Sequence, residues 1–215
     1  PPEGYKPEGW EEPKESKAQK EDFLVFQTLS TYQFYILWVM YMFGSTAGLM
    51  VIGIAKDLGV EYANLSAATA ANIVVSIAFA NAVGRLFWGA VSDRIGRLNA
   101  LAAKYLLTAA ILAFLAFGPM NIYSFYITIS LIGFCFGGFL AVYPTVAADF
   151  YGTKNLGMNY GLLYLAYGVA AFVGPALTRI MSIEQAFIFI GLVSLAAGIV
   201  SFFIKHPIHP SKANS

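Results

Sequence analysis

Hydrophobic residues along this chain are gathered into six long runs. Short polar stretches separate the runs, and a polar segment of about 29 residues precedes the first of them. Each run is long enough for an α-helix to cross a hydrocarbon core of roughly 30 Å. The pattern therefore predicts an all-α membrane protein with six transmembrane helices. We expect them at about residues 31–54, 67–91, 98–117, 122–147, 159–177 and 186–204.

The polar opening combines prolines with alternating charges. Such a composition cannot bury enough apolar surface to fold alone, so we predict a linker over residues 1–29, with a short amphipathic piece near Phe23 to Leu29. The chain begins at Pro1 without a methionine, and we expect it to be a piece of a longer polypeptide. The predicted organisation is a cytoplasmic linker at 1–29, a six-helix bundle at 30–205 and a cytoplasmic tail at 206–215.

Composition narrows the possible functions. The chain is 58% hydrophobic and 12% charged, with a net charge of +1, so its overall charge does not indicate a nucleic-acid partner. Cys135 is the single cysteine, which excludes a disulfide or a cysteine-based metal site within this chain. The six runs hold no histidine and no pair of acids, which is poor equipment for acid–base or metal catalysis. We predict no enzyme activity, no catalytic residues, no metal and no cofactor.

The distribution of lysine and arginine predicts the orientation. Cytoplasmic loops of membrane proteins carry an excess of both residues, so the side that holds the opening should be cytoplasmic, together with the C-terminus. The opposite side holds Lys56 and Arg179. We assign ten of the 13 basic residues to the cytoplasmic side: Lys6, Lys14, Lys17, Lys20, Arg94, Arg97, Lys104, Lys154, Lys205 and Lys212.

Arg85 is the basic residue that this assignment leaves within a hydrophobic run. An unpaired guanidinium near the middle of a bilayer costs at least a few kcal/mol, and all 12 acidic residues fall in loops or at helix ends. An anion that visits the site is the obvious partner, and a structural arginine bound to carbonyls or to an acid elsewhere is the alternative. Asn81 lies one turn earlier, where it would orient the guanidinium or the ligand, or else join two helices.

Residues 89–97 read GAVSDRIGR. This stretch resembles the G-x-x-x-D-R-x-G-R loop of the major facilitator superfamily, which follows the second helix of each half. The resemblance implies the C-terminal half, a 3+3 inverted repeat, of a twelve-helix transporter, with the N-terminal six-helix half as its partner. We expect close helix approach at Gly89 and a tight turn at Gly96. The candidate motif and gating residues are Gly89, Asp93, Arg94, Gly96, Arg97 and Asp149.

The opening PPEGYKPEGW, with NAVGRLFWGAVSDRIGR and NYGLLYLAYG, resembles the oxalate/formate antiporter family and its bacterial monocarboxylate-transporter relatives. The resemblance implies a multi-pass protein of the bacterial inner membrane in which Arg85 binds substrate. Many relatives carry an aspartate that takes part in proton coupling where this chain has Asn81. Oxalate exchangers carry a lysine near the position of Tyr167, and this chain has no lysine there. One cation in this half favours a monocarboxylate such as lactate.

Further candidates lie on other runs. Tyr160, Tyr164 and Tyr167 follow a helical i, i+4, i+7 spacing, so their phenols share one face, with cavity lining and packing as the alternatives. We predict Asn81, Arg85, Tyr164 and Tyr167 as the substrate-binding residues. Asp149 and Lys154 are candidates for a gating pair or for solvated loop charge, and Gly174-Pro175 is expected to end or kink the fifth helix.

These patterns together predict a secondary active transporter of a small, lactate-like monocarboxylate, by proton symport and alternating access. Phe79 and Trp88 are expected to limit the size of the substrate. The alternatives are an oxalate/formate-type antiporter, a membrane-embedded enzyme and a purely structural bundle.

Overall fold

The computed structural model describes residues 22–61 and 65–209, and this part of the chain is all-helical. Six of its seven helices are long and apolar enough to cross a membrane. This confirms the predicted all-α membrane architecture. The helices are α1 (Val25–Leu29), α2 (Tyr32–Glu61), α3 (Ala67–Ile95), α4 (Arg97–Phe117), α5 (Ile122–Tyr151), α6 (Leu156–Ile180) and α7 (Ile183–Ser201).

Three helix pairs provide most of the packing: α3 with α5, α2 with α6, and α4 with α7. The second helix of each triplet thus packs against the first helix of the other, and the two third helices pack together. The triplets α2–α4 and α5–α7 are therefore packed as two equivalent units, as expected for half of a major facilitator fold. The second helices, α3 and α6, are the least buried of the six.

Several helices extend further than the hydrophobic runs. The first run ends near residue 54, yet α2 continues to Glu61 and buries Leu58 and Gly59. The prediction that Pro175 ends or kinks the fifth helix is wrong about an end, because α6 continues through Pro175 to Ile180. A charged residue ends an apolar run without removing any backbone hydrogen bond, and a proline inside a helix removes one such bond while the residues around it keep theirs.

Helices α3 and α5 approach each other at glycines. A Cβ at Gly84 would lie 2.1 Å from the Phe134 carbonyl oxygen, and a Cβ at Gly137 would lie 2.1 Å from the Asn81 carbonyl oxygen. Real Cβ atoms do not approach backbone oxygens so closely, so both positions require glycine. The close contact fixes the position of α3 along α5.

The segment just before α1 packs onto the turn between α5 and α6. The Phe23 backbone N–H donates to the Tyr151 carbonyl at 2.9 Å, and its carbonyl accepts from the side-chain amides of Asn155 and Asn159 at 3.0 and 3.1 Å. The Phe23 ring is 3% exposed and meets the His209 ring edge-on. The end of the predicted linker, the α5–α6 turn and the C-terminal tail therefore lie at one end of the bundle. Residues 1–21 and 210–215 of the predicted linker and tail lie outside the described residues.

We predict that Phe23→Ala destabilises the bundle by about 3 kcal/mol, because it empties a buried aromatic site. Phe26→Ala is the matched control, since Phe26 is 65% exposed, and its effect should stay within about 0.5 kcal/mol. Thermal unfolding of the purified protein in detergent measures both. Equal effects of the two substitutions would contradict the docking of Phe23.

Candidate anion site

Arg85 lies on the exposed side of α3, ten residues before the C-terminal end of that helix. Its Nε donates to the side-chain oxygen of Asn81 at 3.1 Å. Within residues 22–61 and 65–209, the guanidinium has no ion pair with an acid. The terminal nitrogens are thus presented to the unpartnered face of this half, next to a neutral amide.

Asn81 holds this arrangement against the neighbouring helix. Its side-chain nitrogen donates to the Gly133 carbonyl of α5 at 3.3 Å, while its side-chain oxygen accepts from Arg85. The sequence left two roles open for Asn81, helix–helix contact and orientation of the guanidinium, and the geometry combines both. Because the amide is tied at both ends, the direction of Arg85 is linked to the α3–α5 contact.

The tyrosines of α6 pack against one another and against α5 and α2. The rings of Tyr164 and Tyr167 stack with centroids 5.1 Å apart, and Tyr167 stacks on Phe136 of α5 at 6.1 Å. The Arg85 charge acts electrostatically on the Tyr167 phenol, so α3 and α6 contribute to the same region. Tyr160 donates or accepts a 3.3 Å hydrogen bond with Tyr41 of α2. Helix α5 thus reaches the candidate site through Gly133 and α6 approaches it at Tyr167, whereas Tyr160 contacts α2.

Of the two apolar residues predicted to limit substrate size, Trp88 faces away from the open side of α3. Trp88 is 6% exposed and packs inward between α3 and α5, so it does not border the open face around Arg85. Phe79 is 73% exposed on α3. Positions about half a turn apart on a helix face opposite sides, and the hydropathy of a fully apolar run does not distinguish them.

The assignment of Lys104 to a cytoplasmic loop is wrong. Lys104 lies in α4, its side chain is fully buried, and its Nζ donates to the Gly138 carbonyl of α5 at 2.7 Å. Among the described residues, a second basic side chain besides Arg85 therefore lies away from the helix ends. The position of Lys104 inside the run at 98–117 already indicated a site within the membrane. Counting basic residues on each side of the membrane ignores how deep each residue lies.

The motif at residues 89–97 forms the turn between α3 and α4. Gly96 joins the helices with a φ of 89°, a conformation that favours glycine. Arg97 pairs with Asp93, and its Nε lies 3.7 Å from an Asp149 oxygen of α5. Arg94 is exposed in the last turn of α3.

Two expectations about this end of the bundle need revision. The predicted close approach at Gly89 is not formed within this half, because a Cβ there would meet no atom within 4 Å. The geometry connects Asp149 with Arg97, whereas the backbone N–H of Lys154 donates to Asp22 at 2.9 Å. Asp149 thus joins the α3–α4 turn to α5.

Comparison with protein families decides the broader identity. The model of the Major Facilitator Superfamily matches residues 33–215. The chain belongs to this superfamily. The match begins at the start of α2 and includes all six spans, in agreement with the packing of the two triplets.

Relatives within the superfamily are transporters by name. The uncharacterized MFS-type transporter YhjX of Escherichia coli is 35% identical over 152 residues, which are 71% of this chain and 38% of that protein. The oxalate:formate antiporter of Oxalobacter formigenes is 25% identical over 196 residues, 89% of this chain and 47% of that protein. Apicoplast pyruvate carrier 1 of Toxoplasma gondii is 28% identical over 141 residues, 63% of this chain and 26% of that protein. The chain spans less than half the length of these relatives.

We predict that Asn81→Ala raises the half-saturating substrate concentration about tenfold, because Arg85 loses the amide that directs it. Asn99→Ala is the control, since Asn99 is exposed and bonds only to the Ile95 carbonyl of its own turn. Initial rates of uptake across a range of concentrations measure both. An unchanged half-saturation in Asn81→Ala would contradict the orienting role.

Proposed function

We propose that this chain is the C-terminal half of a carrier for a small monocarboxylate, which works by proton symport and alternating access. The supporting observation is the Arg85 guanidinium, which a neutral amide directs toward the unpartnered face of the bundle. A carboxylate that binds there would replace the water lost by the cation and provide the missing negative charge.

The N-terminal six-helix half would cover this face. Large apolar side chains are exposed on both second helices, including Phe79 and Leu86 on α3 and Phe172 on α6, each more than 70% exposed. The same two helices carry Arg85 and Tyr164. A partner half that covers α3 and α6 would enclose the anion between the halves, where superfamily transporters place their substrate.

The arrangement of cations supports a monocarboxylate. Lys104 points into the bundle at Gly138, so of the two basic side chains that lie away from the helix ends in the described residues, Arg85 is the one on the open face. One guanidinium matches one carboxylate bidentately. The T. gondii relative is named a pyruvate carrier, which fits this substrate class. In our proposal Tyr164 and Tyr167 donate hydrogen bonds to the bound anion.

Exchange of organic anions is the second candidate function. A relative that covers 89% of this chain is named an oxalate:formate antiporter. In that case Arg85 would bind each anion in turn, and a cation from the N-terminal half would serve the second carboxylate of oxalate. The same α3–α6 face would form the site in both mechanisms.

The distribution of charge supports an orientation with the linker and the C-terminus in the cytoplasm. Arg94, Arg97, Lys154 and Lys205 lie at the end of the bundle that holds Phe23 and the tail. Lys56 and Arg179 lie at the opposite end. This asymmetry persists without Lys104, and by the positive-inside rule it supports the proposed orientation. In our proposal the membrane is a bacterial inner membrane, as the family resemblance implies.

Uptake into proteoliposomes tests the proposal. The complete protein would be reconstituted and tested with radiolabelled lactate, pyruvate, formate and oxalate, each with and without a pH gradient and with and without internal anion. We expect accumulation of lactate or pyruvate driven by the pH gradient. Uptake that needs an internal anion and ignores the gradient would support exchange, and no uptake of any of the four would contradict a carboxylate carrier.

A further inference from the structure

Lys104 is a buried amine that takes no part in the proposed anion site. It lies at the junction of α3, α4 and α5, and its Nζ is 2.7 Å from the Gly138 carbonyl oxygen. The ring centroids of Phe139 and Trp88 lie 4.8 and 5.9 Å from the same nitrogen. No acid pairs with it within the described ranges 22–61 and 65–209.

The surroundings are shaped for this side chain. A Cβ at Gly138 would lie 2.4 Å from Trp88 Cδ1 and 2.8 Å from Lys104 Cδ, so only glycine leaves room for both. The indole N–H of Trp88 is buried and has no hydrogen-bond partner among the described residues. The lysine stem and the indole thus share one tight compartment against α5.

This compartment can hold the amine in either protonation state. The charged form gains the carbonyl and two aromatic faces, which attract a cation within about 6 Å. The neutral form keeps an N–H for the same carbonyl and avoids the cost of a charge buried away from water. Since neither form has an acid partner among the described residues, we expect the protonation equilibrium of the amine to depend on other charges near it.

Arg85 supplies that nearby charge. It precedes Trp88 by three residues on α3, and Lys104 lies against the Trp88 ring. Helical spacing, the ring contact and the reach of the two side chains bound the separation of the guanidinium and the amine at roughly 10–20 Å. At an effective dielectric constant of about 20, two unit charges at such a separation change each other's binding constants by about four- to sixteenfold.

We propose that Lys104 is the proton-binding residue of the transport cycle, coupled to the anion through Arg85. This inference rests on the proposed function. In the empty carrier Arg85 repels a second positive charge, and Lys104 is a neutral amine. When a carboxylate neutralises Arg85, the amine takes one proton from water and becomes an ammonium. The anion and the proton add no net charge, so the loaded and empty carriers reorient with equal charge.

Few other titratable groups face this amine. On α5 the buried Cys135 thiol acts electrostatically on Lys104, and Tyr143 bonds to the neighbouring Tyr105 of α4 at 2.7 Å. The α3 helix contributes Arg85. The α7 helix, which packs on α4, carries Glu184 in its first turn, at the opposite end of the bundle.

Two transport assays on the reconstituted complete protein separate the roles of the two cations. The probe is the one of the four anions above that shows the fastest counterflow. We expect Lys104→Met to lose accumulation driven by the pH gradient at least tenfold, while counterflow, which needs no net proton movement, stays within about twofold. Thr108→Val, one turn away on α4, is the control and should retain both activities. Retained accumulation in Lys104→Met would overturn the inference, as would parallel loss of both activities.

A binding measurement on the wild-type protein does not depend on the folding of a variant. Adding the same anion to weakly buffered, detergent-solubilised protein should raise the pH through uptake of up to one proton per bound anion. Binding without proton uptake between pH 5 and pH 9 would overturn the inference and leave the anion site intact. Counterflow that persists in Arg85→Ala would overturn the proposed function, and this inference with it.

Discussion

Substitution of Arg85 by alanine should reduce transport of the carboxylate at least 30-fold. Truncation of one member of a buried, hydrogen-bonded charge pair costs about 2–5 kcal/mol, and in the complete carrier the anion would be the other member. The side chain is exposed in this half and bonds only to Asn81, so its removal should leave thermal stability unchanged. Counterflow in proteoliposomes and thermal unfolding in detergent measure the two effects separately.

Two further variants sharpen this result. Arg85→Lys keeps the charge but loses the planar fork and the Nε that binds Asn81, so it should fall between the wild type and Arg85→Ala. Arg179→Ala removes an exposed arginine in the last turn of α6 and should stay within about twofold of the wild type. Wild-type rates in Arg85→Ala, with the protein folded, would remove the basis of the proposed function.

The second large effect is expected at the contact between α3 and α5. Gly137→Ala should destabilise the protein by about 1–3 kcal/mol, because its Cβ would meet the Asn81 carbonyl oxygen rather than a flexible side chain. Relief of this clash requires α3 to move away from α5. The Asn81–Gly133 hydrogen bond would then break, and Arg85 would lose its direction, so transport should fall together with stability.

Gly53→Ala is the matched control for this prediction. A Cβ at Gly53 of α2 would have no atom within 4 Å, so alanine there should be neutral or stabilise the helix by up to about 1 kcal/mol. Gly137→Ala should thus lower the unfolding temperature, whereas Gly53→Ala should leave it unchanged or raise it. Equal stability of the two variants would show that the α3–α5 contact tolerates a methyl group.

The hydrophobic runs predicted the existence of the six spans better than their ends. Hydropathy records which residues avoid water, whereas a helix ends where its hydrogen bonds end. The α2 helix therefore continues past Lys56 to Glu61, and α6 continues past Pro175. The packing of each second helix against the other triplet could not be predicted from hydropathy. The prediction that the chain is half of a twelve-helix fold came from the resemblance to a known family.

The candidate site was predictable where a polar residue interrupts an apolar run. Arg85 and Asn81 stand one turn apart, and that spacing alone indicates a contact. The Gly133 carbonyl that ties Asn81 could not be foreseen, because it belongs to another helix. Lys104 was misplaced because the count of basic residues by sides assumes that each one reaches the surface.

The docking of Phe23 changes how the preceding chain acts on the bundle. The hydrogen bonds from Asn155 and Asn159 join positions 132 and 136 residues apart in sequence. In the proposed carrier, a pull on the chain that precedes Phe23 would therefore act on the α5–α6 corner before it reaches the start of α2. Mechanical load between the two proposed halves would then pass first to helices that are distant in sequence.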